Sequence, residues 1–317
     1  MTTTSRYLPA PPEQTGATAW YPATLDAAAY TVELDRFVAG TERLGDLGPA
    51  PDEPVLLRGE VGALIVPAGF DRLVTEVGRR LTDGPGFAVV KGFPVDGGGR
   101  GATQLFASLM SSFGKLLAQD VHGDLLHLVR TTGLGDDRQY GSKGSGELLF
   151  HTDQAAAPAE QLPGVLGLLA LQRAARGGHT RLVSGHTLLN ELRARDGALA
   201  ASLCVPSPFA RDNDGVSSSE PVEAAAVVIG RGGRARIRFN RYFMETGARR
   251  IGVGLVPGAS AALDAIDELF DTRPLDVELL LEPGDALVAD NSVILHNRTA
   301  YQDDRDNVRC LVRAWAH

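Results

Sequence analysis

The stretch GELLFHTDQAAAP, residues 146–158, sets an imidazole and a carboxylate two positions apart behind an apolar run. In extended backbone alternate side chains share a face. His151 and Asp153 therefore point the same way, about 6–7 Å apart along the chain by the rise per residue. That lets both reach one ion, although the pair alone also suits an ordinary polar strand end. A second histidine, His296, ends another apolar run, Ser292–Leu295. Two histidines and one carboxylate suit a divalent iron that keeps positions open for other ligands. A structural zinc would usually have four protein ligands and more sulfur.

Downstream, VRCLVRAW (308–315) alternates, so Arg309, Leu311, Arg313 and Trp315 share one face. Arginines that point inward need an anion, because an unpaired buried charge is costly. A dicarboxylate held by a bidentate guanidinium would serve; for Arg313 the plainer alternative is an ion pair with an acid such as Asp285. GGHT (177–180) adds a tight turn and a hydroxyl donor, Thr180, at the head of a strand.

The elements that must position these residues are legible in outline. Helices are expected over 25–46, 70–81, 102–117, 186–203 and about 259–270, the third from the helical period of Leu105, Phe106, Leu109, Met110, Phe113, Leu116 and Leu117. Strands are expected near 86–93, 124–130, 165–174, 175–184, 224–229, 234–240, 275–281, 285–290 and 307–315. Residues 1–20, rich in Thr and Pro, read as a loosely held arm, and 21–317 as one domain. In that domain a helical part (about 21–120) packs on a strand-rich core (about 86–317). Short strands with turns, wrapped by helices, suit an antiparallel sandwich or barrel. The polar stretches 131–147 and 207–221 are lid candidates.

The bulk numbers narrow the function. At 317 residues, 44% hydrophobic and 22% charged, the chain can build a sizeable core. A net charge of −8 argues against phosphate-backbone binding, so no nucleic-acid partner is expected. No apolar stretch is long enough to span a bilayer. Two cysteines, Cys204 and Cys310, form no framework, and a cytoplasmic setting is expected.

Taken in order, HTD, GGHT, DNSVILHNRTAYQD and RCLVRAW resemble the taurine dioxygenase / clavaminate synthase family from about residue 86 to the C-terminus. The resemblance implies a double-stranded β-helix, or jelly roll, decorated by helices, and an Fe(II)- and 2-oxoglutarate-dependent oxygenase using O2. His151, Asp153 and His296 would be the iron ligands. Arg309, thirteen residues after His296, and Thr180 would hold the far carboxylate of 2-oxoglutarate, with Arg313 near the co-substrate or the substrate. The implied reaction is hydroxylation of a small polar molecule, with release of succinate and CO2. Desaturation, epoxidation or cyclisation would use the same motifs. Gln154, Arg241 and Arg130 are candidate substrate contacts. The rival reading is a cupin-like isomerase or sensor, which would keep the His/Asp/His site without needing Arg309 and Thr180.

Overall fold

A computed structural model of the chain describes residues 11–41, 66–120, 122–131, 144–211, 222–231 and 233–317. The first part contributes β1 (Thr31–Glu33), α1 (Phe70–Thr82), β2 (Phe87–Lys91) and α2 (Arg100–Ser111). β3 (Leu126–Val129), β4 (Leu148–His151) and β5 (Val165–Gln172) follow. Next come β6 (Arg176–Gly177), β7 (Thr180–Ser184), α3 (Gly185–Arg195) and α4 (Gly197–Ser202). Two hairpins then pair β8 (Ser207–Ala210) with β9 (Val222–Ala225), and β10 (Val228–Arg231) with β11 (Arg234–Ile237). The chain closes through α5 (Arg241–Arg250), α6 (Ala259–Thr272), β12 (Asp276–Leu279), β13 (Ala286–Asp290), β14 (Ile294–Arg298), β15 (Tyr301–Gln302) and β16 (Cys310–Ala316).

Two sheets form the expected jelly roll. The larger runs β1-β2-β13-β5-β16-β3 and the smaller β12-β7-β14-β4. Strand alternation splits each sheet into an inner and an outer face. On β16, Leu311 and Trp315 turn inward to meet Leu168, Leu182, Leu287 and Ile294. Val312 and Ala314 turn outward, where α1 and α2 cover them with Leu73, Val77, Leu105 and Leu109. The outer face of the smaller sheet, Phe150, Val183 and Leu295, lies under α3, α4 and α6 through Leu188, Leu192, Leu263 and Ile266.

Several elements differ from the sequence expectation. In place of a helix over 25–46, residues up to 41 form short 3-10 turns and β1, which pairs parallel with β2. Sheet pairing outweighs the apolar spacing of Leu34 and Val38 there, and residues 42–46 lie outside the described ones. The helix expected over 102–117 stops at Ser111, and Lys115 and Leu117 pair with the C-terminal strand instead. The helix expected over 186–203 breaks at Asp196, whose carboxylate caps α4 by accepting from the Ala198 N–H. Helix α5 was not expected; Asn240 caps it through the Phe243 N–H. Of the lid candidates, 207–210 is a buried strand, while 132–143 and 212–221 lie outside the described residues.

The described part of the arm is strapped down rather than loose. Gln14 exchanges backbone hydrogen bonds with the Asn190 amide and accepts from the Ala235 N–H. The Trp20 indole donates to the Pro85 carbonyl. Thr18 pairs with buried His186, whose other ring nitrogen meets the Ala235 carbonyl at 2.9 Å. A carbonyl only accepts, so Nε2 of His186 carries the proton and Nδ1 accepts from the Thr18 hydroxyl.

Two outcomes follow. Burial pushes His186 below its ordinary 6.5, so the unfolded chain takes up this proton more readily than the fold. Its contribution to stability is complete above about pH 6.5 and drains as pH falls toward the lowered value. Thermal melts from about pH 8 to 5 should show this slope, and His186→Gln should flatten it. Separately, a Cβ on Gly247 of α5 would lie 2.7 Å from the Ala210 nitrogen and 2.8 Å from the Pro208 oxygen, both backbone atoms of β8. Gly247→Ala should therefore destabilise by about 1–3 kcal/mol in denaturant melts, as overpacking does.

Candidate active site

Antiparallel pairing of β4 and β14 sets His151 directly opposite His296. Their rings lie 4.3 Å apart between centroids. Nδ1 of His151 is 2.8 Å from the Leu149 carbonyl, so Nδ1 carries the proton and the Nε2 lone pair faces inward. His296 is buried; desolvation and the neighbouring His151 ring push it below its ordinary value, which favours the neutral, ligating form.

β4 ends at His151, and Asp153 opens a turn. Its Oδ1 lies 3.4 Å from His151 Nε2 and 3.5 Å from His296 Nε2. One donor atom from each of the three lies within 4.8 Å of the others, as a single ion requires. Burial alone would raise the Asp153 carboxyl. The Arg313 guanidinium and both imidazoles outweigh that and hold it well below the usual range.

The turn is locked from several sides. The Asn291 amide accepts from the Asp153 N–H at 2.9 Å and donates to the Asp153 carbonyl at 3.0 Å. Thr152 exchanges hydrogen bonds with the Phe239 backbone. Gln154 takes a left-handed φ of 55°, and buried Arg238 donates to the carbonyl of Ala157, just past that bend. Trp315 Nε1 donates to Asp153 Oδ2 at 2.7 Å.

Arg309 and Thr180 line a separate cleft with Gly178, Leu281 and Leu311. Burial, then the neighbouring Arg298, lowers Arg309 to about 10, so it stays cationic at neutral pH. Tyr301 lies between the two guanidiniums, 5.2 Å from that of Arg309 and 4.8 Å from that of Arg298. Arg309 Nη1 is buried with no hydrogen-bond partner among the described residues. Gly178, at a φ of 76°, leaves room for the arginine; a Cβ there would sit 3.2 Å from its Cδ and Nε.

The other expected residues do not all converge. Arg313 is absent from the cleft lining. It lies 3.7 Å from Asp153 Oδ2 and donates to Gln119, while Asp285 pairs with Lys91. Arg241 is turned away from the site, bound to Glu245, Asp264 and Asp267 at 2.7–2.8 Å, and ties α5 to α6. Arg130 follows Val129 of the inner cluster, so alternation turns it to the outer side of the sheet, where its charge acts on Cys310. Gln154 does adjoin Asp153. Sequence reasoning missed Asn291, Gln119, Arg238 and Tyr301, since neither spacing nor residue type flags an amide, guanidinium or ring that serves backbone or another side chain.

The donor set fits a divalent iron, and the cleft fits a carboxylate. Among known proteins, the chain is 26% identical over 316 residues to FR-33289 synthase of Streptomyces rubellomurinus, covering 95% of this chain and 89% of that protein. It is 28% identical over 177 residues to human gamma-butyrobetaine dioxygenase, covering 54% and 44%. The fold is similar to asparagine oxygenase in complex with Fe(II), 2S,3S-3-hydroxyasparagine and succinate (TM-score 0.66, 23% identity, 90% and 93% covered). It is also similar to the non-heme iron oxygenase OrfP in complex with Fe and alpha-ketoglutaric acid (TM-score 0.65, 20% identity, 90% and 92% covered). The family model for the taurine catabolism dioxygenase TauD, TfdA family matches residues 65–315, and the chain belongs to that family of Fe(II)- and 2-oxoglutarate-dependent oxygenases.

Proposed function

We propose that the chain hydroxylates an unactivated C–H of a small polar substrate, an amino acid, its derivative or a natural-product intermediate. The observation that carries this reading is the pairing of a His/Asp/His cluster with a buried arginine whose Nη1 has no partner among the described residues. A non-redox metal protein of the same fold has no use for that arginine. The relatives support the substrate class: one synthase of a natural product and one oxygenase bound to a hydroxylated amino acid.

In this reading His151, Asp153 and His296 hold the metal, which supplies the oxidative decarboxylation of 2-oxoglutarate and the oxidation of the substrate by O2. Arg309 and Thr180 hold the far carboxylate, and Leu281 and Leu311 exclude water beside it. Gln154 is the substrate contact retained from the sequence reading. No helix among the described residues is long and apolar enough to cross a membrane. With both cysteines free and the charge at −8, a cytoplasmic enzyme with no nucleic-acid partner fits best. Residues 21–317 act as one domain, supported by β2 of the helical part pairing with β13.

The reading is tested by titrating the Fe(II)-loaded protein with 2-oxoglutarate under anaerobic conditions. A metal-to-2-oxoglutarate absorption band is expected, followed in air by succinate release that rises with the right substrate and adds one oxygen to it. Absence of the band would sink the proposal. Arg309→Ala should weaken 2-oxoglutarate binding by about 2–5 kcal/mol in the same titration, as truncating one side of a buried charge pair does.

A further inference from the structure

We propose that the Trp315 indole is a positioning group that confines Asp153 to one metal-facing oxygen, Oδ1, and so keeps a coordination position open for the co-substrate. This rests on the reading of Asp153 as a metal ligand. A carboxylate can ligate through one oxygen or both. If both oxygens bound, Asp153 would take one of the positions that a two-histidine, one-carboxylate set otherwise leaves free.

The surroundings of Asp153 divide its two oxygens. Oδ1 faces both imidazole Nε2 atoms, at 3.4 and 3.5 Å. Oδ2 faces away from them, 2.7 Å from the Trp315 Nε1 donor and 3.7 Å from Arg313 Nη1. Indole N–H is a donor only, so it engages Oδ2 solely as an acceptor. A hydrogen bond to an ionised oxygen is roughly twice as strong as a neutral one. Because Asn291 already holds the Asp153 N–H and carbonyl, rotation of the side chain is the freedom left, and Trp315 opposes it.

Trp315 is itself fixed. It is 2% exposed, and the Arg313 guanidinium stacks 4.1 Å from its ring. Arg313 is held by Gln119, which accepts from Nε and donates to the Arg313 carbonyl, both at 2.7 Å. The line Gln119–Arg313–Trp315 thus ends on the oxygen that must not reach the metal.

The test replaces Trp315 by benzothienylalanine, which keeps the bicyclic shape and exchanges N–H for sulfur; Trp315→Phe is the second variant. An unchanged melting temperature of the metal-free benzothienylalanine protein confirms the fold. Mn(II) alone is the probe. Water-proton relaxation by the Mn(II) protein should fall by about a third, reflecting one open position lost of about three. The affinity of the Mn(II) protein for 2-oxoglutarate should fall about tenfold, the lower end for a lost outer-shell partner. If relaxation and 2-oxoglutarate affinity match the parent in both variants, the positioning role is wrong. If Asp153→Ala binds Mn(II) as tightly as the parent, the ligand reading beneath it is wrong instead.

Discussion

The register between β4 and β14 is the constraint on which the site depends. It places His151 against His296. A slip of one residue would turn every side chain of β4 to the other face. His151 would then point toward α6, and Phe150, which packs there against Phe270, would point into the site. Register and hydrophobic packing are therefore one choice, and the outer apolar cluster stabilises the inner polar one. Asp153 needs separate provision because it stands beyond the strand end. Asn291, in the turn between β13 and β14, provides it by treating the Asp153 peptide as a strand partner would.

The inner face of β16 shows how one strand serves two polar tasks. Arg309, just before the strand, and Arg313 within it both lie on the inner side, yet their surroundings differ. Arg313 neighbours an acid of the chain itself, while Tyr301, the Asp303 charge and a second guanidinium act on Arg309. Burying a cation without a carboxylate contact is costly, so a strand that retains one is shaped around a ligand. Leu311 lies between the two arginines in sequence and Trp315 follows, which separates the Arg309 cleft from the end of the strand that meets Asp153.

The chemistry was more legible in the sequence than the scaffolding. Side chains of defined reactivity at short spacing, such as HTD, or two steps apart along an extended run, such as Arg309 and Arg313, stand out by type, and short spacing keeps them near one another even where the strand ends at His151 and Asp153 opens a turn. Buried strands with β-branched runs were readable for the same reason. The misreadings share a different origin. Leu34, Phe37 and Val38 show helical spacing, but an open edge of β2 claims the backbone before them. Arg241 follows an arginine-rich strand and reads as ready for a ligand, but α6 supplies two carboxylates, 23 and 26 residues away, and α5 a third, four residues away. Such partners are set by how helices pack, and no local pattern announces them.

The strapped N-terminal segment bears on how the fold is bounded. The family match starts at residue 65, yet Gln14, Thr18 and Trp20 fill backbone and side-chain vacancies on α3, β11 and the turn before β2. Ser184, the last residue of the strand headed by Thr180, donates its hydroxyl to the Thr18 carbonyl. The stretch matched by the family model and mechanical integrity thus have different starting points. A boundary drawn at residue 65 would amputate a girdle that embraces the very strand from which the Arg309 cleft is built.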